Sequence, residues 1–328
     1  MTAPDPPTRS RFALPALIAF GLIAAAVVWR HSSGEPPEPE FRPERYMLPQ
    51  APVIGVDSRA ASDVGRRLKP DELVLGVTVG QAARAYPVSR LNAVPSRKVL
   101  NDTLGDRPLV VTWCDACFSG VVFDRKVDGR LLTFAVAGQL WHKSIVMHDE
   151  QTRSQWSQVQ GRAQAGPLTG TTLEVVPSVL TDWRSWSTLH PDTTVAWFDE
   201  GGPNFTPAVY DDPARFVLAI SQQGRAKAWS FTALAGGGVV NDVWEGDPVV
   251  AVLEPASKAA RLYRRTVEGR VLTFTQGGGH LTDRETGTQW QPVTGEGVSG
   301  PLAGRRLTAL PAVVSSRETW FSLHPRSR

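Results

Sequence analysis

The rhythm of apolar and polar positions divides this chain into stretches of different kinds. Residues 12–29 (FALPALIAFGLIAAAVVW) carry no charge. At about 1.5 Å per residue such a run reaches most of the way across a ~30 Å hydrocarbon core, so it predicts a membrane segment. Residues 32–40 are rich in Pro and Glu and predict an extended, solvated tether that leads into an irregular segment reaching residue 70. Regular patterning begins at Leu73–Val79, a β-branched run bounded by Pro70 and Gly80. Short apolar or alternating runs follow at 109–113, 120–124, 131–136 and 144–147, and Asp128-Gly129 between two of them is a hairpin-turn signal. Residues 181–190 differ: a capping residue, apolar positions three apart and a stop at Pro191 predict a helix.

These patterns occur twice. Trp156, Gly161, Gly166-Pro167-Leu168, Gly170, Leu173, Pro177, Trp186 and Leu189-His190-Pro191 recur without a gap as Trp290, Gly295, Gly300-Pro301-Leu302, Gly304, Leu307, Pro311, Trp320 and Leu323-His324-Pro325. Upstream, Asn101-Asp102 matches Asn241-Asp242, Leu132-Thr133-Phe134 matches Leu272-Thr273-Phe274, and Leu75 and Tyr86 match Leu218 and Trp229. A duplicated domain-sized unit follows, with copies at 71–195 and 214–328 and a Gly/Pro-containing linker at 196–213. The second terminal helix is expected to open on a capping box formed by Ser315 and Glu318. The fold class is α+β and β-rich: tandem curled sheets or open barrels, each closed by a C-terminal helix, after one N-terminal transmembrane helix.

Charge sets the topology and removes one class of partner. Arg9 and Arg11 precede the apolar run, whereas Glu35, Glu38 and Glu40 follow it. That bias keeps the N-terminus in the cytoplasm, makes residues 1–31 a signal anchor, and places the rest on the periplasmic or extracellular side of a cell inner membrane. The run is longer than the apolar region of a cleaved signal peptide. The 35 basic and 32 acidic residues leave a formal charge of +3 without a basic block, which argues against nucleic acid; the expected partners are the membrane and an envelope protein.

Chemistry concentrates at Cys114 and Cys117, the chain's two cysteines, spaced C-x-x-C directly after an apolar run. Such a pair can be a passive disulfide or inert buried thiols, a redox couple, or a metal site. Copper(I) or zinc is the candidate metal, with His142, Met147 and His148 as candidate auxiliary residues from a loop (139–148) that the second copy lacks. The W-C-x-x-C string is similar to thioredoxin-type sites, but those open a helix, whereas the residues after Cys117 pattern as a strand. In the second copy the thiols fall opposite Glu254 and Ser257. Asp149, Thr152 and Trp156, kept in both copies, are expected to be structural: a side-chain-stabilised turn and a core anchor. His190 and His324 are expected to bond the last helix carbonyls. No G-x-S-x-G, H-E-x-x-H or P-loop is present. A membrane-tethered thiol site is therefore the expected function; a non-catalytic binding or assembly module with a structural disulfide is the alternative.

Val74-Leu75-Gly76-Val77, Ala85-Tyr86-Pro87, Asn101-Asp102, Thr112-Trp113-Cys114-x-x-Cys117 and Val146-Met147-x-Asp149-x-x-Thr152-x-Ser154-x-Trp156-Ser157-Gln158 together resemble the prokaryotic domain-of-unknown-function family numbered 3179. The resemblance covers nearly all of the first copy and, more weakly, the second. The family's motif resembles T-Y-C-P-x-C followed by a small residue. Trp113, Asp115 and Phe118 depart from it here, while both thiol positions are kept. The resemblance implies the domain and leaves its activity open.

Overall fold

A computed structural model describes residue 2, residues 36–64 and residues 67–327. The expected membrane segment at 12–29 lies outside the described residues, and among those described no helix is long and apolar enough to cross a membrane. Pro39–Arg328 form one compact unit.

The lead-in segment is more ordered than its composition predicts. Its strands β1 (Glu44–Arg45), β2 (Val53–Ile54) and β3 (Asp57–Ala60) each join an edge of a different sheet of the first copy, and a short helix α1 (Ala61–Val64) follows. Edge pairing satisfies main-chain groups without needing apolar side chains, so it leaves little trace in a hydropathy pattern.

The first copy is a series of hairpins. β4 (Leu73–Val79) and β5 (Ala82–Pro87) lead through α2 (Val88–Leu91) into β6 (Val99–Leu104), β7 (Arg107–Cys114) and β8 (Ser119–Asp124). A ribbon of β9 (Lys126–Val127) and β10 (Arg130–Leu131) turns at Asp128-Gly129, both at positive φ, as a two-residue hairpin requires. Next come β11 (Phe134–Trp141), β12 (Ser144–Asp149), β13 (Gln155–Ser157), β14 (Arg162–Ala165), β15 (Val175–Val176) and β16 (Ser178–Asp182), then helix α3 (Trp183–Leu189) and β17 (Thr194–Trp197). The sheet orders are β16-β4-β5-β17-β3, β15-β8-β7-β6-β2 and β1-β11-β12-β13-β14. Among the described residues no sheet closes into a barrel; the fold is a set of small packed sheets. The strand expected at 131–136 is broken, because Leu132 N–H leaves for Arg125 C=O and Phe134 is gripped by Asn101.

The second copy repeats this order: β18 (Phe216–Gln222), β19 (Arg225–Ser230), α4 (Phe231–Ala235), β20 (Val239–Trp244), β21 (Asp247–Leu253), β22 (Ala260–Arg264), β23 (Thr266–Val267), β24 (Arg270–Val271), β25 (Phe274–Gly277), β26 (His280–Asp283), β27 (Gln289–Trp290), β28 (Gly297–Ser299), β29 (Thr308–Ala309), β30 (Val313–Ser316) and α5 (Arg317–Leu323). Leu75 faces Tyr86 across its ladder as Leu218 faces Trp229.

The same polar ties fasten both copies. Asn101 bonds both main-chain groups of Phe134 at 2.7 and 2.8 Å, and Asn241 does so for Phe274 at 2.8 Å each. Asp149 accepts from Thr152 N–H at 2.6 Å and from the Trp156 indole at 2.9 Å; Asp283 accepts from Thr286 and Trp290 at the same distances. These groups are the turn and the core anchor that their presence in both copies implied. The histidines at the helix ends differ from expectation: His190 stacks on Trp186 and His324 on Trp320, at 4.1 and 4.2 Å between rings, and His324 Nε2 is buried without a partner.

Asp149→Ala and Asp283→Ala each strand a buried indole N–H and a main-chain N–H. Each should lower unfolding free energy by about 2–4 kcal/mol, measured by urea denaturation. A loss confined to one copy would contradict the equivalence of the two turns.

Candidate functional site

Cys114 ends β7 and Ser119 opens β8, so the C-x-x-C sequence is the turn of a β-hairpin. Phe118 closes that turn at φ +50°, and its counterpart Lys258 does the same at +56°. Left-handed backbone is costly for a residue with a Cβ, so the conformation at Phe118 is held by its neighbours. What holds it is the linker and the second copy: its ring meets Phe216 edge-on at 6.0 Å, and its carbonyl accepts from Tyr210 Oη at 2.9 Å.

The other two departures from the family motif are explained in the same way. Trp113 packs edge-on against Phe205 of the linker at 5.6 Å. Asp115, between the cysteines, pairs with the buried Lys98 ammonium at 2.5 Å. Lys98, Tyr210 and Phe205 are thus parts of the site that sequence reasoning missed, and the unusual residues at 113, 115 and 118 are the signal that could have found them.

Both cysteines are free thiols with no exposed surface, although Ala116 at the tip of the same turn is exposed. Their sulfurs are not equivalent. Burial acts most strongly on Cys114, against its thiolate; the Cys117 S–H and the main-chain N–H groups of Ile145 and Cys117 all donate to its sulfur, and the outcome is a pKa below the ordinary thiol value. When protonated, Cys114 Sγ donates to Lys143 C=O at 3.4 Å. Cys117 is pushed well above the ordinary value, first by burial and then by its hydrogen bond to Cys114 and that sulfur's charge.

The segment expected to be a loop at 139–148 is a long hairpin, β11–β12, whose turn is His142-Lys143, both at positive φ. A register shift between Val136 and Leu140 obscures its alternation. At Gly138 a Cβ would lie 2.6 Å from Met47 C=O, so glycine admits the lead-in chain there. This hairpin reaches the thiols through the main chain of Lys143 and Ile145. Of the candidate auxiliary side chains, Met147 is buried in the same apolar cluster as both cysteines. His148 bonds Glu150 at 3.0 Å, and His142 lies exposed against Trp141. Among the described residues no group of three or more His, Cys, Asp and Glu comes together to hold a metal ion.

In the second copy Glu254 accepts from both the N–H and the hydroxyl of Ser257, each at 2.6 Å. The turn is therefore kept and its thiols are replaced by a hydrogen-bonded polar pair.

Cys117 and Tyr210 hold their protons more tightly folded than unfolded: Cys117 through burial beside Cys114, Tyr210 through burial and then the charge of Cys117. The stability this provides is complete below about pH 8.5, where an unfolded thiol is still protonated, and is lost as pH climbs. Denaturant midpoints should fall from about pH 9 upward, and Tyr210→Phe should make that decline shallower. An unchanged alkaline limb in the variant would remove Tyr210 from the account.

A sequence profile for DUF3179, described as a protein of unknown function, matches residues 52–202 and again 201–328. No curated protein and no solved structure matches the chain.

Proposed function

The chain belongs to the DUF3179 family through two consecutive copies of its domain, and from that premise we propose that the first copy is a dithiol–disulfide exchange site on a membrane-anchored envelope protein. The observation that carries the reading is the placement of two free thiols, buried together at the turn of one β-hairpin, with the Lys143 carbonyl against Cys114 Sγ. Against its burial, the Cys117 S–H and main-chain N–H groups favour the charged form of Cys114, whereas burial and the bond to Cys114 hold the proton on Cys117. Exchange needs such a pair, one sulfur to attack and one to resolve.

The Cys114 thiolate attacks one sulfur of an external disulfide, forming a mixed disulfide and releasing the other half as a thiolate. Cys117 then gives up its proton and attacks Cys114 Sγ, closing the Cys114–Cys117 disulfide and releasing the second half. The external disulfide gains two electrons and the one proton that Cys117 releases, leaving as one thiol and one thiolate, and the pair loses the same. Lys98 serves this chemistry by compensating Asp115, whose charge otherwise opposes a thiolate on either side of it. A zinc centre draws less support, since it takes four ligands and two sulfurs have no third His, Cys, Asp or Glu donor grouped with them among the described residues.

Reduced protein titrated with oxidised glutathione should pass reversibly to the Cys114–Cys117 disulfide. Cys117→Ser should accumulate a glutathione adduct on Cys114, and Cys114→Ser should accumulate almost none on Cys117 over the same interval, read by intact mass. Equal trapping in both variants, or stoichiometric copper or zinc in the purified protein, would sink the exchange reading.

The envelope location rests on the uncharged run at 12–29 with Arg9 and Arg11 before it. An enzyme reporter fused after residue 328 should be active only outside the cytoplasm; cytoplasmic activity overturns the topology.

A further inference from the structure

The thiols of the first copy are covered by the second. Trp320 and Leu323 of α5, Val217 and Ala219 of β18, and Val313 of β30 share one apolar cluster with Cys114 and Cys117. Ser316, at the junction of β30 and α5, donates its N–H to Cys117 C=O at 3.0 Å. The hydroxyl of the same residue caps α5 by accepting from Thr319 N–H, so Ser316 and not Ser315 is the N-cap. Glu318 is thereby left out of the expected capping box and reaches instead across to Lys143 at 2.6 Å, at an exposed edge. Lys143 is the residue whose carbonyl meets Cys114 Sγ. Farther along the seam, Gln160 donates to Leu323 C=O at 2.9 Å.

The arrangement is reciprocal. On the other side of the molecule Trp183 and Trp186 of α3 share a cluster with Ala259 and Val293 of the second copy, next to the Glu254–Ser257 turn. Each terminal helix thus lies by the other copy's turn, but only one of the two turns still carries thiols. A purely structural duplication does not require the aromatic residue at position 118, where left-handed backbone favours glycine and where the ring's partner is Phe216 of the second copy.

We propose that the second copy, its own thiols replaced, is the access-controlling lid of the first copy's thiol pair. The thiol-exchange reading is the basis for assigning this use. The lid moves as β30 and α5, parting from the turn at the Ser316–Cys117 bond, with the Lys143–Glu318 edge opening first because a solvent-exposed ion pair contributes little and is screened by salt. Reagent reaches Cys114 only in the open state, so the reaction rate is the intrinsic thiol rate multiplied by the open fraction.

Modification of the reduced, full-length protein by dithiobis-nitrobenzoate tests this. The wild-type thiols should react at least about a hundredfold more slowly than in the denaturant-unfolded chain, as a site open only a small fraction of the time does. Ser316→Pro suits the φ of −60° at that position and removes the N–H to Cys117, and it should speed modification roughly five- to tenfold. Ser316→Ala loses the cap but keeps that N–H, so it should change the rate no more than about twofold.

Phe118→Gly retains the turn, because glycine favours left-handed backbone, and drops the contact with Phe216; it should also accelerate reaction and serves if Ser316→Pro does not fold. Near-ultraviolet circular dichroism of the tryptophans confirms the fold of each variant. Wild-type thiols as reactive as those of the unfolded chain, or a Phe118→Gly rate equal to wild type, overturns the lid. The product separates the two readings. Rates that follow the lid pattern but leave nitrobenzoate on both sulfurs, with no Cys114–Cys117 disulfide by mass, keep the lid and remove the exchange function.

Discussion

The constraint on which this structure depends is that none of its sheets can bury its own apolar face. They have few strands, many of them two to four residues long, and a sheet of that size is stable only when something packs against it. The solution is a core that runs through both copies: Leu75, Leu109, Val111 and Trp113 of the first lie in one cluster with Phe216, Leu218, Ala251 and Leu262 of the second. Burial on this scale dominates the stability of the fold, and it makes the copies parts of one body where a tandem repeat could have left two beads on a string.

Shared burial also explains why the thiols sit where they do. A hairpin turn ordinarily faces solvent, and in this one Ala116 does. The flanking cysteines lie in an apolar cluster that draws on both copies, Phe134, Met147 and Trp156 from the first and Val217, Val313 and Trp320 from the second. A fully buried thiolate is costly, and that cost is opposed at Cys114 by the Cys117 S–H and by main-chain N–H groups from the β11–β12 hairpin and from the turn itself. The other sulfur, beside it, faces the same burial and a hydrogen bond that works against its ionisation. Two like residues are thus pushed in opposite directions by position alone.

Two copies in one molecule provide an internal control. Where both keep a residue, as with Asn101 and Asn241 or Asp149 and Asp283, the geometry is the same hydrogen bonds to the same kinds of partner, and the role is scaffold. Two of the places where they differ are the thiol turn and the hairpin that reaches it. Glu254 and Ser257 occupy the places of the thiols and bond to each other, and the turn keeps the same backbone conformation, with Lys258 at positive φ, without cysteines.

The chain's own pattern determined the duplication, the β-rich class, the terminal helices, the Asp128-Gly129 turn and the position of the sulfur pair. All of these are local: a period, a turn dipeptide, a cap or a spacing acts over a few residues and is therefore written in a few residues. The three lead-in strands were not legible, because main-chain pairing at a sheet edge asks little of side chains. The runs at 131–136 and 144–147 marked parts of both arms of the hairpin at Phe134–Asp149, but the stretch from 139 on read as a loop, because the alternation is interrupted at Gly138, where another part of the chain crosses. Only the tertiary structure decided which partners meet at Cys114 and Cys117. Lys98 comes from the turn before β6, Lys143 and Ile145 from the β11–β12 hairpin, Tyr210 from the stretch before β18 and Ser316 from the far end of the second copy, and their convergence follows from burying two sets of small sheets against each other, a requirement that no single stretch of sequence carries.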